Sequence, residues 1–237
     1  MSDDRPEIHH THRNVNGGWL RPAVFGAMDG LVSNGSLIAG AAGGSVARGT
    51  VALIGLAGLF AGAFSMAAGE YTSVASQAEM IEAEIATERR ELARRPHAEE
   101  HELALLYQSR GLTPDLAREV ARQLSANPEQ VWRIHAREEL GIDPDELPNP
   151  LVAAGSSFAA FAAGALLPLL PYLVGGAHLL AIAFAVSAVA LLALGATVSR
   201  FTERSPWFSG ARQLAFGVAA AGVTYAIGTL VGTGVGG

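Results

Sequence analysis

Long apolar stretches alternate with polar ones along this chain. Residues 22–45 and 49–75 each contain one charged residue, and residues 151–199 and 213–237 contain none. A helix needs about 20 residues to cross the hydrocarbon core of a bilayer, so each stretch is long enough, and 151–199 is long enough for two. The glycine pair at 175–176 marks the break between those two. The pattern predicts five transmembrane helices, at about 22–45, 50–75, 151–173, 177–199 and 212–235.

The longest polar stretch, residues 76–150, lies between the second and third predicted spans. It holds 16 of the 22 acidic residues of the chain and nine of its 16 arginines. Because no Gly or Pro occurs between residues 76 and 95, the second span should continue as one long helix that ends at Pro96. Prolines at first-turn positions and glycines after last turns predict three further helices, at about 97–110, 114–126 and 128–140.

The fold class predicted from these elements is an all-α integral membrane protein with five transmembrane helices and a helical insert between the second and third. Composition agrees, because half of the residues are apolar and only 16% are charged, against about a quarter in ordinary soluble domains. The predicted organisation is an N-terminal tail at 1–21, two spans within 22–75, an acidic insert at 76–150 and three spans within 151–237.

Charge and cysteine content exclude several classes of function. The chain has no Cys, which removes disulfides, thiolate metal sites and Cys nucleophiles. Its net charge of −6 argues against a nucleic-acid partner, since such proteins carry a basic face to neutralise phosphates.

The basic residues predict the orientation in the membrane. All 16 are arginines, and all but Arg48 fall in the tail, in the insert or between the fourth and fifth spans. Cytoplasmic segments are enriched in such residues, so the N-terminus and residues 76–150 are expected in the cytoplasm. The first 21 residues lack the apolar core of a signal peptide, so insertion through the first span is expected. The tail also carries His9, His10 and His12, either a metal-gathering cluster or a solvated tail.

Two carboxylates interrupt the predicted spans. Asp29 and Glu70 are costly in a bilayer, which makes them functional candidates. The helical rise places Asp29, Met66 and Glu70 at a similar depth, and Met66 and Glu70 share a helical face. Two carboxylates and a thioether suit Fe²⁺ or Mn²⁺ better than harder cations, and the carboxylates could also carry protons. The alternative is that Met66 fills the core and Glu70 lies in interfacial water.

Acidic and imidazole side chains in the insert are spaced for chelation. A hairpin at Pro96 would bring neighbouring acidic pairs together, and such like charges need a cation or nearby arginines to compensate them. The alternative is a solvated acidic face with Glu–Arg pairs. Three pairs lie three or four residues apart and so share a helical face: Glu88 with Glu91, Glu99 with Glu102, and His135 with Glu139.

Residues 18–21 (GWLR), 24–33 (VFGAMDGLVS) and 61–74 (AGAFSMAAGEYTSV) resemble the vacuolar iron transporter family. The likeness extends over nearly the whole chain, including the Glu-rich insert and the Gly-rich last helix. It implies a homodimer in the lipid bilayer that exports Fe²⁺, and often Mn²⁺, from the cytoplasm in exchange for protons. No prosthetic group is implied; the divalent cations are transported or bound ions.

The resemblance also implies roles for residues. An Asp of the first span and a Met of the second line the path in that family, which matches Asp29 and Met66. One departure from the family is that His135 and Ala136 stand where a pair of Met is usual, which bears on metal preference. The lack of Lys, the short length and the absence of a targeting segment suggest a bacterial plasma membrane rather than a vacuole. Metal-collecting glutamates of the cytoplasmic helices correspond here to Glu88, Glu91, Glu99, Glu102 and Glu139.

Two other functions are alternatives to transport. A membrane-anchored metal buffer or sensor would use the insert but would not need Asp29 within a span. An enzyme is disfavoured because the insert lacks the Glu-x-x-His pairs that di-iron carboxylate bundles use.

Overall fold

A computed structural model describes residues 18–145, 147–202 and 204–235. Every regular element in these residues is helical. The break between the third and fourth predicted spans lies where expected, since Gly175 and Gly176 adopt positive φ angles of 92° and 125°. The elements, in chain order, are α1 (Leu20–Asp29), a π-helical turn (Gly30–Asn34), α2 (Gly35–Gly43), α3 (Arg48–Arg94), α4 (Pro96–Ser109), α5 (Pro114–Leu124), α6 (Pro128–Glu138), α7 (Pro150–Val174), α8 (Leu179–Thr202) and α9 (Pro206–Val235).

The chain divides into two units. One, here the apolar unit, contains the residues up to Tyr71 and those from Leu151 onward. The other, here the polar unit, is Thr72–Pro150. Helix α3 contributes residues to both units, as expected from its uninterrupted sequence.

Four helices of the described chain are long and apolar enough to cross a membrane: α3, α7, α8 and α9. The first predicted span differs from the expected single α-helix. It runs from Leu20 to Gly43 without a break, but its middle is the π-helical turn. The Ser33 hydroxyl donates to the Asp29 carbonyl oxygen at 2.5 Å, and a side chain that competes for a helix carbonyl in this way favours a local change of pitch.

Glycines bring the helices of the apolar unit into close contact. A Cβ added at Gly26 would lie 2.6 Å from the Ser157 carbonyl oxygen of α7, and one at Gly30 would overlap the Phe161 carbonyl oxygen. The glycine pair of the first span therefore packs on α7. Gly58 of α3 does contact the first span, at Asn34.

The polar unit consists of the last part of α3 and helices α4 to α6. Pro occupies the first turn of each of α4, α5 and α6, where its missing N–H costs nothing. Helix α6 ends slightly before the predicted residue 140, and Gly141 follows with a φ of 65°. The Arg110 guanidinium pairs with the Glu138 carboxylate and donates to the Glu138 carbonyl oxygen at 2.9 Å. This contact ties the end of α4 to the end of α6.

Candidate metal centre

Helices α3 and α6 bring three ligand-type side chains together within the polar unit. His135 and Glu139 lie one turn apart on α6, and Glu88 faces them from α3. The His135 Nδ1 atom lies 3.0 Å from the Glu88 Oε1 atom and 2.8 Å from the Glu139 Oε1 atom. One ligand atom from each residue lies within 4.8 Å of the other two. We call Glu88, His135 and Glu139 the triad.

The triad is buried, and its polar atoms contact one another at angles that are poor for hydrogen bonds. The His135 side chain is fully buried, and those of Glu88 and Glu139 are 8% and 16% exposed. The converging oxygens and both imidazole nitrogens have no hydrogen-bond partner of acceptable geometry among the described residues. Leaving such atoms unpaired costs about 1–3 kcal/mol each. The arrangement therefore favours a ligand bound between the three side chains.

The spacing of these atoms suits a bound cation. Two ligand atoms about 2.1 Å from one ion and at right angles to each other are about 3.0 Å apart. The two nitrogen–oxygen distances, 2.8 and 3.0 Å, match this value. An imidazole nitrogen with two carboxylates suits Mn²⁺, Fe²⁺ or Zn²⁺, while Mg²⁺ and Ca²⁺ favour oxygen ligands alone.

Electrostatics holds protons in the triad. Burial, and then the facing Glu139 carboxylate, raises the pKa of Glu88 from 4.5 to about 7. Burial opposes the charged form of His135, but the adjoining carboxylates outweigh burial and raise its pKa above its usual 6.5. A divalent cation would take the place of these protons, because it satisfies the same negative charges.

The other predicted glutamates surround the triad rather than completing it. Glu99 of α4 is buried, and burial followed by the Glu102 and Glu91 charges raises its pKa. Glu91 and Glu102 are exposed. The predicted partnership of Glu88 with Glu91 is therefore not the one that forms the group, since Glu88 meets His135 and Glu139 instead.

The intramembrane candidates form no comparable group among the described residues. Asp29 is half-buried at the start of the π-helical turn, and Met66 packs against the apolar core of α2, α3 and α7. The Glu70 carboxylate accepts a hydrogen bond from Arg21 at 3.3 Å and is 12% exposed. Glu70 is thus compensated by a cation from the chain itself. The N-terminal cluster at 9–12 lies outside the described residues.

Comparison with known proteins identifies the family to which this chain belongs. The model of the VIT family matches residues 20–229, a range that contains the triad and all three intramembrane candidates. This chain belongs to the VIT family.

Named relatives of this VIT family member cover most of its length. A vacuolar iron transporter of Acanthamoeba castellanii is 40% identical over 92% of this chain and 82% of its own. Vacuolar iron transporter 2 of Oryza sativa subsp. japonica is 30% identical over 95% of this chain and 91% of its own. Vacuolar iron transporter 1 of Arabidopsis thaliana is 29% identical over 94% of this chain and 90% of its own. Together with the apolar helices, the family membership makes this a multi-pass membrane protein.

Sequence reasoning missed two polar contacts in the apolar unit. From the sequence, Arg21 contributes only to the predicted membrane orientation. Its pairing with Glu70 has no local signal, because the two residues are 49 positions apart. Asn34 is buried in the π-helical turn, and its amide nitrogen donates to the Ala165 carbonyl oxygen of α7 at 2.7 Å. A lone Asn in an apolar stretch was the available signal for the second contact.

Proposed function

We propose that this VIT family member exports Fe²⁺, with Mn²⁺ as a second substrate, from the cytoplasm in exchange for protons. Its relatives are named vacuolar iron transporters, and one of them is 40% identical over nearly the whole chain. The proposal makes the protein a transporter with divalent cations and protons as ligands, and not an enzyme.

The observation that carries the proposal is the triad. Its buried, unpaired ligand atoms form a site for a borderline divalent cation. A bound cation would compete with the protons of Glu88 and His135, whose pKa values are both raised. The surrounding carboxylates of Glu91, Glu99 and Glu102 add negative potential that attracts cations and repels anions.

Transfer across the bilayer requires groups within the spans. Asp29, Met66 and Glu70 are proposed to receive the cation, with Asp29 and Glu70 accepting protons when the cation leaves. Glu70 is paired with Arg21 at 3.3 Å, so a cation must displace Arg21 to use this carboxylate. The pair is therefore proposed to be the resting state of that ligand.

Topology and assembly follow the charge distribution in this proposal. The helical run from Leu20 to Gly43 serves as the fifth span, beside α3, α7, α8 and α9. The N-terminus and residues 76–150 face the cytoplasm, where the positive-inside rule puts arginine-rich segments. The active form is a homodimer, and the membrane is the plasma membrane of a bacterial cell.

A second function is favoured by one specific feature. All three triad residues belong to the polar unit, so cation binding there needs no contribution from the spans. A membrane-anchored metal buffer or sensor would work with this site alone. It would make no use of Asp29, which separates the two hypotheses.

The test is metal flux in proteoliposomes with an imposed pH gradient. Wild type should move Fe²⁺ and Mn²⁺ only when the gradient is present, and Asp29→Ala should lose the flux while still binding Mn²⁺. Asp29→Asn serves as a matched variant that keeps the size of the side chain and removes its charge. Stoichiometric Mn²⁺ binding without flux in wild type would overturn transport and leave the buffer or sensor.

A further inference from the structure

Helix α4 carries ligand-type side chains on two opposite faces. Successive residues of an α-helix are rotated by about 100°, so Glu99 and Glu102 point away from the direction taken by His97, Glu100 and His101. Glu99 interacts electrostatically with His135 and Glu139 and thus belongs to the surroundings of the triad. The histidine face is a separate surface, and nothing in the proposed function uses it.

The histidine face lines a solvent-open cavity of about 370 Å³ between α4 and α5. His97 and His101 are four residues apart, which puts two imidazoles one turn apart on one side of the helix. Two histidines at this spacing bind Zn²⁺ from one helical face in metalloproteases. Glu100, three residues after His97, lines the same cavity and adds a carboxylate to it.

The charges around this cavity leave the two imidazoles available. Neither His97 nor His101 has a hydrogen-bond or ion-pair partner among the described residues, and both are exposed. Arg122 donates two hydrogen bonds to the Glu119 carboxylate, at 2.6 and 3.0 Å. Arg118 is likewise paired, with Asp115.

These ion pairs neutralise Arg118 and Arg122, the two cationic side chains opposite the histidines. The two arginines that line the cavity are each paired with an acidic side chain of α5, and Glu100 adds one further negative charge to the lining. The cavity is therefore net negative when the imidazoles are neutral.

We infer that His97 and His101, with Glu100, form a second metal site that binds one imidazole-preferring divalent cation such as Ni²⁺, Zn²⁺ or Cu²⁺. Two nitrogen ligands and one carboxylate give it a softer donor set than the triad, which has one nitrogen and two carboxylates. The exposed position leaves the remaining coordination positions to water. The site does not depend on transport, and it holds for a transporter, a buffer or a sensor.

The experiment measures Ni²⁺ binding to the purified full-length chain in detergent micelles, by equilibrium dialysis at pH 7.5. Ni²⁺ is the probe because imidazole suits it well. The reference chain carries His9→Asn, His10→Asn and His12→Asn, so that the tail contributes no Ni²⁺ binding. Three further chains are made from this reference chain. One carries His97→Gln together with His101→Gln, and the two separate controls carry His178→Asn or Glu139→Gln.

The expected result is that the His97→Gln, His101→Gln chain loses one Ni²⁺ equivalent per chain. His178→Asn should lose none, and Glu139→Gln should keep the equivalent that the histidine pair binds. Unchanged Ni²⁺ stoichiometry and affinity in the double variant would overturn the inference.

A second measurement needs no variant and so does not depend on folding. Ni²⁺ should slow the modification of both His97 and His101 by diethyl pyrocarbonate in the wild-type chain, as read by mass spectrometry of peptides. The rate at His178 should not change. Equal rates at His97 and His101 with and without Ni²⁺ would also overturn the inference.

Discussion

The two units hold similar ligand types in opposite electrostatic states. In the polar unit, Glu88, His135 and Glu139 converge in a buried position, and their facing atoms have no hydrogen-bond partner among the described residues. In the apolar unit, Glu70 is matched by Arg21, and Asp29 belongs to no group of converging ligands in the described chain. A buried group whose charge is balanced by protons can exchange them for a cation, whereas the Glu70 carboxylate must first be released from Arg21.

The largest effect is expected from removing the imidazole of the triad. His135→Ala removes the one nitrogen ligand of the triad, so Mn²⁺ affinity should fall by roughly tenfold to a hundredfold or more. Isothermal titration with Mn²⁺ on the full chain measures this. Arg133→Ala, on the same helix, is the matched control and should bind as wild type does. A Mn²⁺ affinity of His135→Ala equal to that of wild type would contradict the proposed difference between the polar unit and the apolar unit.

The second effect concerns packing in the apolar unit. Gly30→Ala would put a Cβ into the Phe161 carbonyl oxygen of α7, and overpacking of this kind costs about 1–3 kcal/mol, sometimes more. Thermal unfolding in detergent should therefore show a lower midpoint. Gly155→Ala is the matched control, because no atom lies within 4 Å of its added Cβ. A Gly30→Ala chain as stable as wild type would show that the π-helical turn and α7 are not in close contact.

The third effect is on pH dependence and follows from the protons of the triad. The pKa of Glu88 is raised to about 7, so the folded state keeps a proton that the unfolded chain releases above its ordinary value of 4.5. The pKa of His135 is also raised, which favours the folded state at low pH. Both contributions are lost as the pH rises, so the metal-free chain should become less stable between about pH 5 and 8.

Carboxylates with lowered pKa values affect the stability of the folded chain in a lower pH range. Hydrogen bonds from Arg122 and Gln123 lower the pKa of Glu119 to about 2, and its contribution is lost only below its ordinary value of 4.5. Melting temperatures between pH 5 and 8 therefore exclude Glu119 and report on the triad together with Glu99, whose pKa is also raised. Mn²⁺ should raise the melting temperature more at pH 8 than at pH 5.5. A midpoint that rises with pH in the metal-free chain would contradict the proton-filled triad.

The smallest effect is expected at the ion pair of the apolar unit. Arg21→Gln removes the cation that competes for Glu70, and an exposed pair of this kind contributes about 0–1 kcal/mol to stability. Mn²⁺ flux in proteoliposomes should therefore reach half its maximum at a lower Mn²⁺ concentration, with little change in melting. Arg212→Gln is the control for loss of one positive charge. A higher Mn²⁺ requirement in Arg21→Gln would indicate that Arg21 assists the cation.

Local signals in the sequence were sufficient for most helices. Prolines at first turns and the glycine pair at 175–176 marked helix ends within a few residues, and the absence of breakers predicted that α3 would extend to Arg94. The π-helical turn had no such signal, because Gly, Val and Ser residues are ordinary in apolar helices. Within this turn the Ser33 hydroxyl donates to the Asp29 carbonyl oxygen.

The candidate site was only partly predictable, for a physical reason. Helical spacing identifies residues on one face, so it paired His135 with Glu139 correctly as neighbours on α6. Spacing carries no information on which helices meet, so it grouped Glu88 with Glu91 and could not place Glu88 against α6. The Arg21–Glu70 contact was missed for the same reason.

Anomalous diffraction from crystals of the full chain grown with Mn²⁺ tests the central claim most directly. The account predicts an anomalous peak among the Glu88 Oε1, His135 Nδ1 and Glu139 Oε1 atoms, about 2.1–2.3 Å from each, by analogy with similar ions. Crystals that hold Mn²⁺ at other positions and show no peak within the triad would contradict it.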